Sequence, residues 1–118
     1  MILSNGKMLE SMNVLSRLEE KGMLGYAIAV NRKRIATDAQ FQEYSMKRDE
    51  LLMEYGTDIG NGQFQLMPER AARFYEALQP YTELTSDVPV MQVSPEVFCS
   101  GNLTSSQMFA LDWMVKED

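Results

Sequence analysis

The chain predicts a helix-dominated α+β fold of about four helices, one of them a long central helix over 23–55, with a small two- or three-stranded β element. Three observations carry this expectation. Apolar residues recur at three- and four-residue spacing in several separate segments, the signature of amphipathic helices. From Met23 to Tyr55 no proline occurs, and the one glycine, Gly25, stands near the start. Gly60-Asn61-Gly62 is a tight-turn sequence with apolar residues on both sides, which calls for strands.

Ile2-Leu3 reads as a short strand or an apolar lead-in, and Ser4 or Asn5 offers an N-cap oxygen for the first helix. Met8, Met12, Leu15 and Leu18, with Leu9 beside them, form its buried stripe, and Gly22 is a natural stop. The second helix, closed by Gly56 as a C-cap, would be roughly 45–50 Å long at 1.5 Å per residue. A small domain cannot cover such a length alone, which points to another segment or a second copy against its far end. Its stripe also shifts face. Leu24, Ala27, Ile28 and Ile35 mark the first half, and Phe41, Tyr44, Leu51, Leu52 and Tyr55 the second, as expected for two successive packing partners. Leu24, Asn31, Asp38, Ser45 and Leu52 follow one another at intervals of seven. Polar residues in such a line either fix the register of helix pairing or face water between apolar ends.

After the Gly60–Gly62 turn, Phe64 and Leu66 alternate as in a short hairpin strand. Pro68 fits the first turn of a third helix that buries Ala71, Ala72, Phe74, Tyr75 and Leu78. Pro80 should end or kink it, with Tyr81 to Leu84 following as a turn. Val88–Val93 is β-branched but interrupted by proline, so a strand there is short or at an edge. Ser94-Pro95 and Ser100-Gly101-Asn102 read as turns around Val97-Phe98-Cys99. Thr104 with Gln107 has capping-box spacing and opens a last helix with Met108, Leu111 and Met114 or Val115 on its apolar face. No linker or repeat divides the chain, so one domain over 1–118 is expected.

An apolar fraction of 45% with 24% charged residues is that of a globular chain and excludes wholesale disorder. Cys99 has no second cysteine with which to form a disulfide, and the start lacks the long apolar run of a signal peptide. No apolar stretch is long enough to span a membrane. A cytoplasmic protein without membrane contact is expected. Bases balance acids over residues 1–56, whereas nine acids face only Arg70, Arg73 and Lys116 over 57–118, which accounts for the net charge of −6. That half should avoid nucleic acid and is suited to a basic protein surface.

The chain contains no histidine. This removes Ser-His and Cys-His nucleophiles, histidine bases and most zinc sites. Cys99, next to Phe98, reads as a small buried hydrophobe. Most of the carboxylates Glu19, Glu20, Asp49, Glu50, Glu54 and Asp58 lie on polar helix faces, with no spacing that sets one pair apart for acid–base work. Asp58-Ile59-Gly60-Asn61-Gly62, with Glu69 beyond, superficially matches a calcium loop, but glycines occupy positions where ligand oxygens are required. No phosphate-binding glycine pattern is present. No catalytic, cofactor or metal site is therefore expected, and no enzyme.

Arg32-Lys33-Arg34 is the densest basic cluster, but successive helix residues turn about 100° apart and few further bases lie a turn away. Asn31, Arg32, Lys33, Arg34 and Asp38 are the candidate interaction residues. Ten methionines also bear on contact. Met8, Met12, Met108 and Met114 have core spacing, while Met46, Met53, Met67 and Met91 are not placed by it and suit an adaptable binding surface.

In this order the elements resemble a family of small tailed-phage and prophage proteins of unknown function, found especially in Gram-positive hosts. The resemblance lies in the Tyr26-Ala27-Ile28-Ala29-Val30-Asn31-Arg32 helix entry and the Leu51-Leu52-Met53-Glu54-Tyr55-Gly56 close. The helix around Phe74 and the terminal Leu111-Asp112-Trp113-Met114-Val115 add to it. The chain departs from that pattern at Pro80 and between Thr85 and Cys99. The resemblance implies a phage setting and carries over no site residues. Together these features predict a non-enzymatic accessory or assembly protein that contacts a phage or host protein, or itself as an oligomer. The alternative is an anti-CRISPR-like inhibitor of a bacterial defence system that uses an acidic surface.

Overall fold

A computed structural model describes residues 1–22 and 24–116. The chain runs β1 (Ile2–Ser4), α1 (Asn5–Glu20), α2 (Gly25–Ala36), α3 (Ala39–Tyr55), β2 (Thr57–Gly60), β3 (Gln63–Gln65), α4 (Pro68–Thr82), β4 (Thr85–Asp87), α5 (Pro95–Cys99) and α6 (Ser105–Ala110). A 3₁₀ turn at Asp112–Met114 follows. The class is the helix-dominated α+β expected, with four longer helices and two small two-stranded antiparallel sheets.

Helix α1 starts where its capping chemistry places it. Ser4 is extended, and its hydroxyl accepts from the Lys7 N–H at 3.1 Å. Met8, Leu15 and Leu18 are buried along one stripe, each stabilising the fold by roughly 2 kcal/mol on area grounds. Ser11 shares that stripe and has work of its own. Its hydroxyl donates to the Ala110 carbonyl at 3.0 Å and accepts from the Trp113 indole N–H at 3.0 Å, tying α1 to the end of the chain.

The single helix expected over 23–55 is two helices, and the break falls at Thr37-Asp38. Neither glycine nor proline makes it. The Thr37 hydroxyl bonds back to the Lys33 carbonyl at 2.8 Å, competing with the helical ladder. Asp38 turns extended at ψ 127° and becomes the N-cap of α3, its carboxylate accepting from the Phe41 N–H at 3.0 Å. The second carboxylate oxygen accepts from the Ser86 hydroxyl at 2.8 Å, so β4 helps hold the break. Helices of about 18 and 26 Å replace the overlong one. The shift of apolar face has the same origin: α2 packs on α1, and α3 packs on α4. Gly56 does cap α3, but in an extended conformation, its N–H bonded to the Leu52 carbonyl at 2.7 Å.

β2 and β3 form the expected hairpin, with Asn61 and Gly62 at φ +54° and +73°, the paired positive values of a type I′ turn. The hairpin is exposed except for half-buried Phe64. Pro68 opens α4, which buries Phe74 and Leu78 and runs two residues past Pro80. Tyr75 and Ala72, expected on its buried side, face outward. The strand partner of β1 is Thr85–Asp87, just before the segment with strand composition. Val88–Val93 instead crosses as irregular chain, with Val88 fully buried and Val93 forming a single parallel bridge to Val115. The capping box at Thr104 and Gln107 forms as expected. Cys99 is a correction. It is exposed, because Phe98 takes the inward position of short α5 and the next residue is rotated away from the core.

The chain is elongated, 45 × 27 × 23 Å, with a radius of gyration of 15.9 Å where about 13–14 Å is usual for this length. Its accessible surface of 7549 Å² compares with about 6,500 Å² for a compact monomer of its mass. Among the described residues no helix is long and apolar enough to cross a membrane.

Candidate functional site

The five residues marked by the sequence divide between internal bonds and open surface. Asn31 is fully buried, and its side chain grips one peptide unit of the crossing segment. Nδ2 donates to the Met91 carbonyl at 2.9 Å, while Oδ1 accepts from the Met91 N–H at 2.7 Å. Arg34, one turn on, donates to the Pro89 carbonyl at 2.5 Å. Together they pin 88–93 to α2. Arg32 forms a half-exposed ion pair with Glu19 of α1. Asp38 is occupied by its cap and by Ser86. Lys33 is exposed. The heptad line thus serves the chain's own fold at Asn31 and Asp38, and the basic cluster is not gathered into one patch.

A different place combines burial, charge and open space. Asn5, at the start of α1, is 1% exposed and closes the C-terminal end of α4. Its backbone N–H reaches the Leu84 carbonyl and its Nδ2 the Tyr81 carbonyl, both at 2.8 Å. The Tyr81 carbonyl belongs to the last turn of α4, and Leu84 lies just past its C-cap, Glu83. Gly6 makes the approach possible, since a Cβ there would stand 2.7 Å from the Thr82 methyl. Asn5 Oδ1, however, is buried and accepts no hydrogen bond among the described residues. An acceptor left in that state costs about 1–3 kcal/mol.

Asn5 lines a cleft of about 350 Å³ between α3 and the end of α4. Tyr44 forms one wall, buried and held by its hydroxyl against the Thr82 hydroxyl at 3.1 Å. Tyr81 forms another, with the Lys47 ammonium 5.3 Å from its ring centroid. The Glu50 carboxylate lies 3.6 Å from that ammonium, and Glu43 stands at the rim with the exposed side chains of Met46 and Leu84.

Further along α3 a second cleft of about 540 Å³ opens between the helix and the hairpin, lined by Asp49, Leu52, Met53, Ile59 and Phe64. Met46 and Met53 lie seven residues apart, two helical turns and one face, and are 67% and 62% exposed. Ile59 adds a third exposed apolar side chain at 56%. Met46 and Met53 therefore mark one line along α3, with the first cleft on one flank of it beside Glu43 and Glu50 and the second on the other beside Asp49.

Sequence reasoning missed the first cleft, because Asn5, Tyr44 and Tyr81 come from three distant segments. The available signal was the two methionines that core spacing left unplaced. Met67 and Met91, the other two, are half-buried. No protein-family model, no curated protein and no solved structure matches the chain.

Proposed function

We propose that the protein is a non-enzymatic accessory or assembly factor that works by contact with another protein through the outer side of α3 and the β2–β3 hairpin. The observation that carries this reading is the aligned exposure of Met46, Met53 and Ile59 beside two clefts. Flexible thioethers on an open helix face suit an adaptable contact surface. The surplus of surface over a compact monomer, about 1,000 Å², is comparable to one partner's share of a standard interface, about 800 Å². The break at Thr37-Asp38 removes helix length as a reason for oligomerisation, so this face is the remaining argument for contact. The phage setting comes from the sequence resemblance alone.

The test is affinity capture from infected-host lysate together with sedimentation equilibrium, on the wild type and on a Met46→Glu/Met53→Glu variant. Stoichiometric capture of a phage assembly protein, or a defined oligomer, lost in the variant, is the expected result. A wild type that is monomeric, captures nothing and behaves as the variant does would contradict it.

One observation favours a second reading, inhibition of a host defence effector by an acidic surface. Glu69 and Glu76 on α4 and Glu83 at its C-cap recur every seven residues, and all are exposed. Capture of one nucleic-acid-binding effector, lost when these three become glutamine, would establish it instead.

A further inference from the structure

We propose that the cleft between α3 and the end of α4 receives a guanidinium side chain carried by a basic amphipathic helix of a partner protein. This rests on the contact reading above and names the partner's chemistry.

The cleft itself sets the requirements. Asn5 lines the cleft and carries a buried Oδ1 without a donor among the described residues, so a donating group suits its inner end. Glu43 and Glu50 outnumber Lys47 around the cleft and favour a cation. The Tyr81 face already holds one cation, the Lys47 ammonium, so an aromatic platform for positive charge is in place. Met46 and Leu84 offer apolar surface to an aliphatic stem. A volume of about 350 Å³ lies at the small end of ligand pockets, about 300–1,000 Å³. Arginine meets all of these, since its planar head stacks on aromatic rings, donates through five N–H groups and keeps its charge when desolvated. A neutral apolar ligand would leave Asn5 Oδ1 as it is.

Met53, two turns along α3 from Met46 and on the same face, supplies the rest of the partner's pattern, since its exposed side chain offers apolar surface to a leucine. A helix laid along α3 would thus present an arginine and a leucine about seven positions apart. The partner's basic charge complements a chain of net charge −6.

The probe is a fluorescein-labelled amphipathic helical peptide of leucine and arginine, followed by anisotropy at physiological salt. Paired with it are the same peptide with glutamine for arginine, and N-acetyl-arginine amide as competitor. Binding of the arginine peptide is expected to weaken about tenfold or more in a Glu43→Gln/Glu50→Gln variant, as loss of charge-assisted bonds requires. Glu96→Gln, a single exposed charge removed elsewhere, should change it little. Lys47→Ala, which vacates the ring, should tighten binding, and Lys33→Ala should not. Equal effects of Glu43→Gln/Glu50→Gln and a control with two distant charges removed, Glu69→Gln/Glu96→Gln, would overturn the proposal, as would weaker binding in Lys47→Ala. Competition by the free amide at the peptide's own affinity would overturn the assignment to a protein partner. If the glutamine peptide binds equally well and Met53→Glu abolishes it, the arginine inference falls while the contact reading stands. If neither peptide binds, the inference falls, and the capture and sedimentation test decides the contact reading separately.

Discussion

Removing the Asn31 side chain tests how the fold is held across its longest irregular stretch. In Asn31→Ala, two hydrogen bonds to Met91, at 2.9 and 2.7 Å, disappear together. Each is worth about 0.5–1.5 kcal/mol net, and the Met91 peptide group, half-buried, is left short of partners. A loss of about 2–3 kcal/mol follows, or on the order of 10 °C in Tm. Arg34→Ala, which removes one exposed bond to Pro89, should cost about 0.5 kcal/mol or less. Asn31→Asp discriminates further. Its ionised carboxylate still accepts from the Met91 N–H but opposes the Met91 carbonyl, whereas the protonated form can donate to it. Burial and that carbonyl raise the folded-state pKa of the new carboxyl above its unfolded value. The folded state then binds more protons, so this variant gains stability as pH falls and loses it as pH rises from about 4 upward. Urea unfolding followed by the fluorescence of Trp113, the sole tryptophan, gives the free energies, and hydrogen exchange at the Met91 amide gives the local effect. An Asn31→Ala protein within about 0.5 kcal/mol of wild type, with the Met91 amide as protected as before, would show that Asn31 does not hold this segment.

Asp38→Ala should lose about 1–2 kcal/mol, since it removes both an N-cap and the Ser86 bond, and Asp38→Asn should retain most of it; thermal unfolding by circular dichroism checks both. Ser11→Ala should cost about 2 kcal/mol and change the Trp113 emission spectrum of the folded protein, because the indole N–H loses its partner in a buried site. Cys99, exposed at the end of α5, should titrate fully with a thiol reagent without denaturant; a thiol reached only after unfolding would return it to the core.

What the sequence disclosed depends on the range of the interactions involved. The α1 stripe, the Ser4 cap, the type I′ turn at Asn61-Gly62 and the Thr104 capping box are each decided by neighbours within a few residues, and all are present. The break in the central helix was not legible, because Thr37 and Asp38 are ordinary in a helical run and part of what fixes them is Ser86, 48 residues away. β1 and β4 are three residues each, too short for a period, and they meet across most of the chain. Asn31 and Asp38 drew attention as polar residues on the heptad line, but their partners are Met91 and Ser86 rather than a second helix or water. Cys99 was misplaced by a single step of helical rotation from Phe98. The cleft at Asn5 depends on α1, α3 and α4 together, so only the unplaced Met46 and Met53 pointed toward that side of the molecule.

The most direct test of contact through α3 is methyl NMR of the ten methionines while the leucine–arginine helical peptide is titrated in. Shifts and broadening are expected at Met46 and Met53, with Met8 and Met114, fully buried in the core, unmoved. Saturable binding that perturbs other methionines and leaves those two unchanged would contradict it.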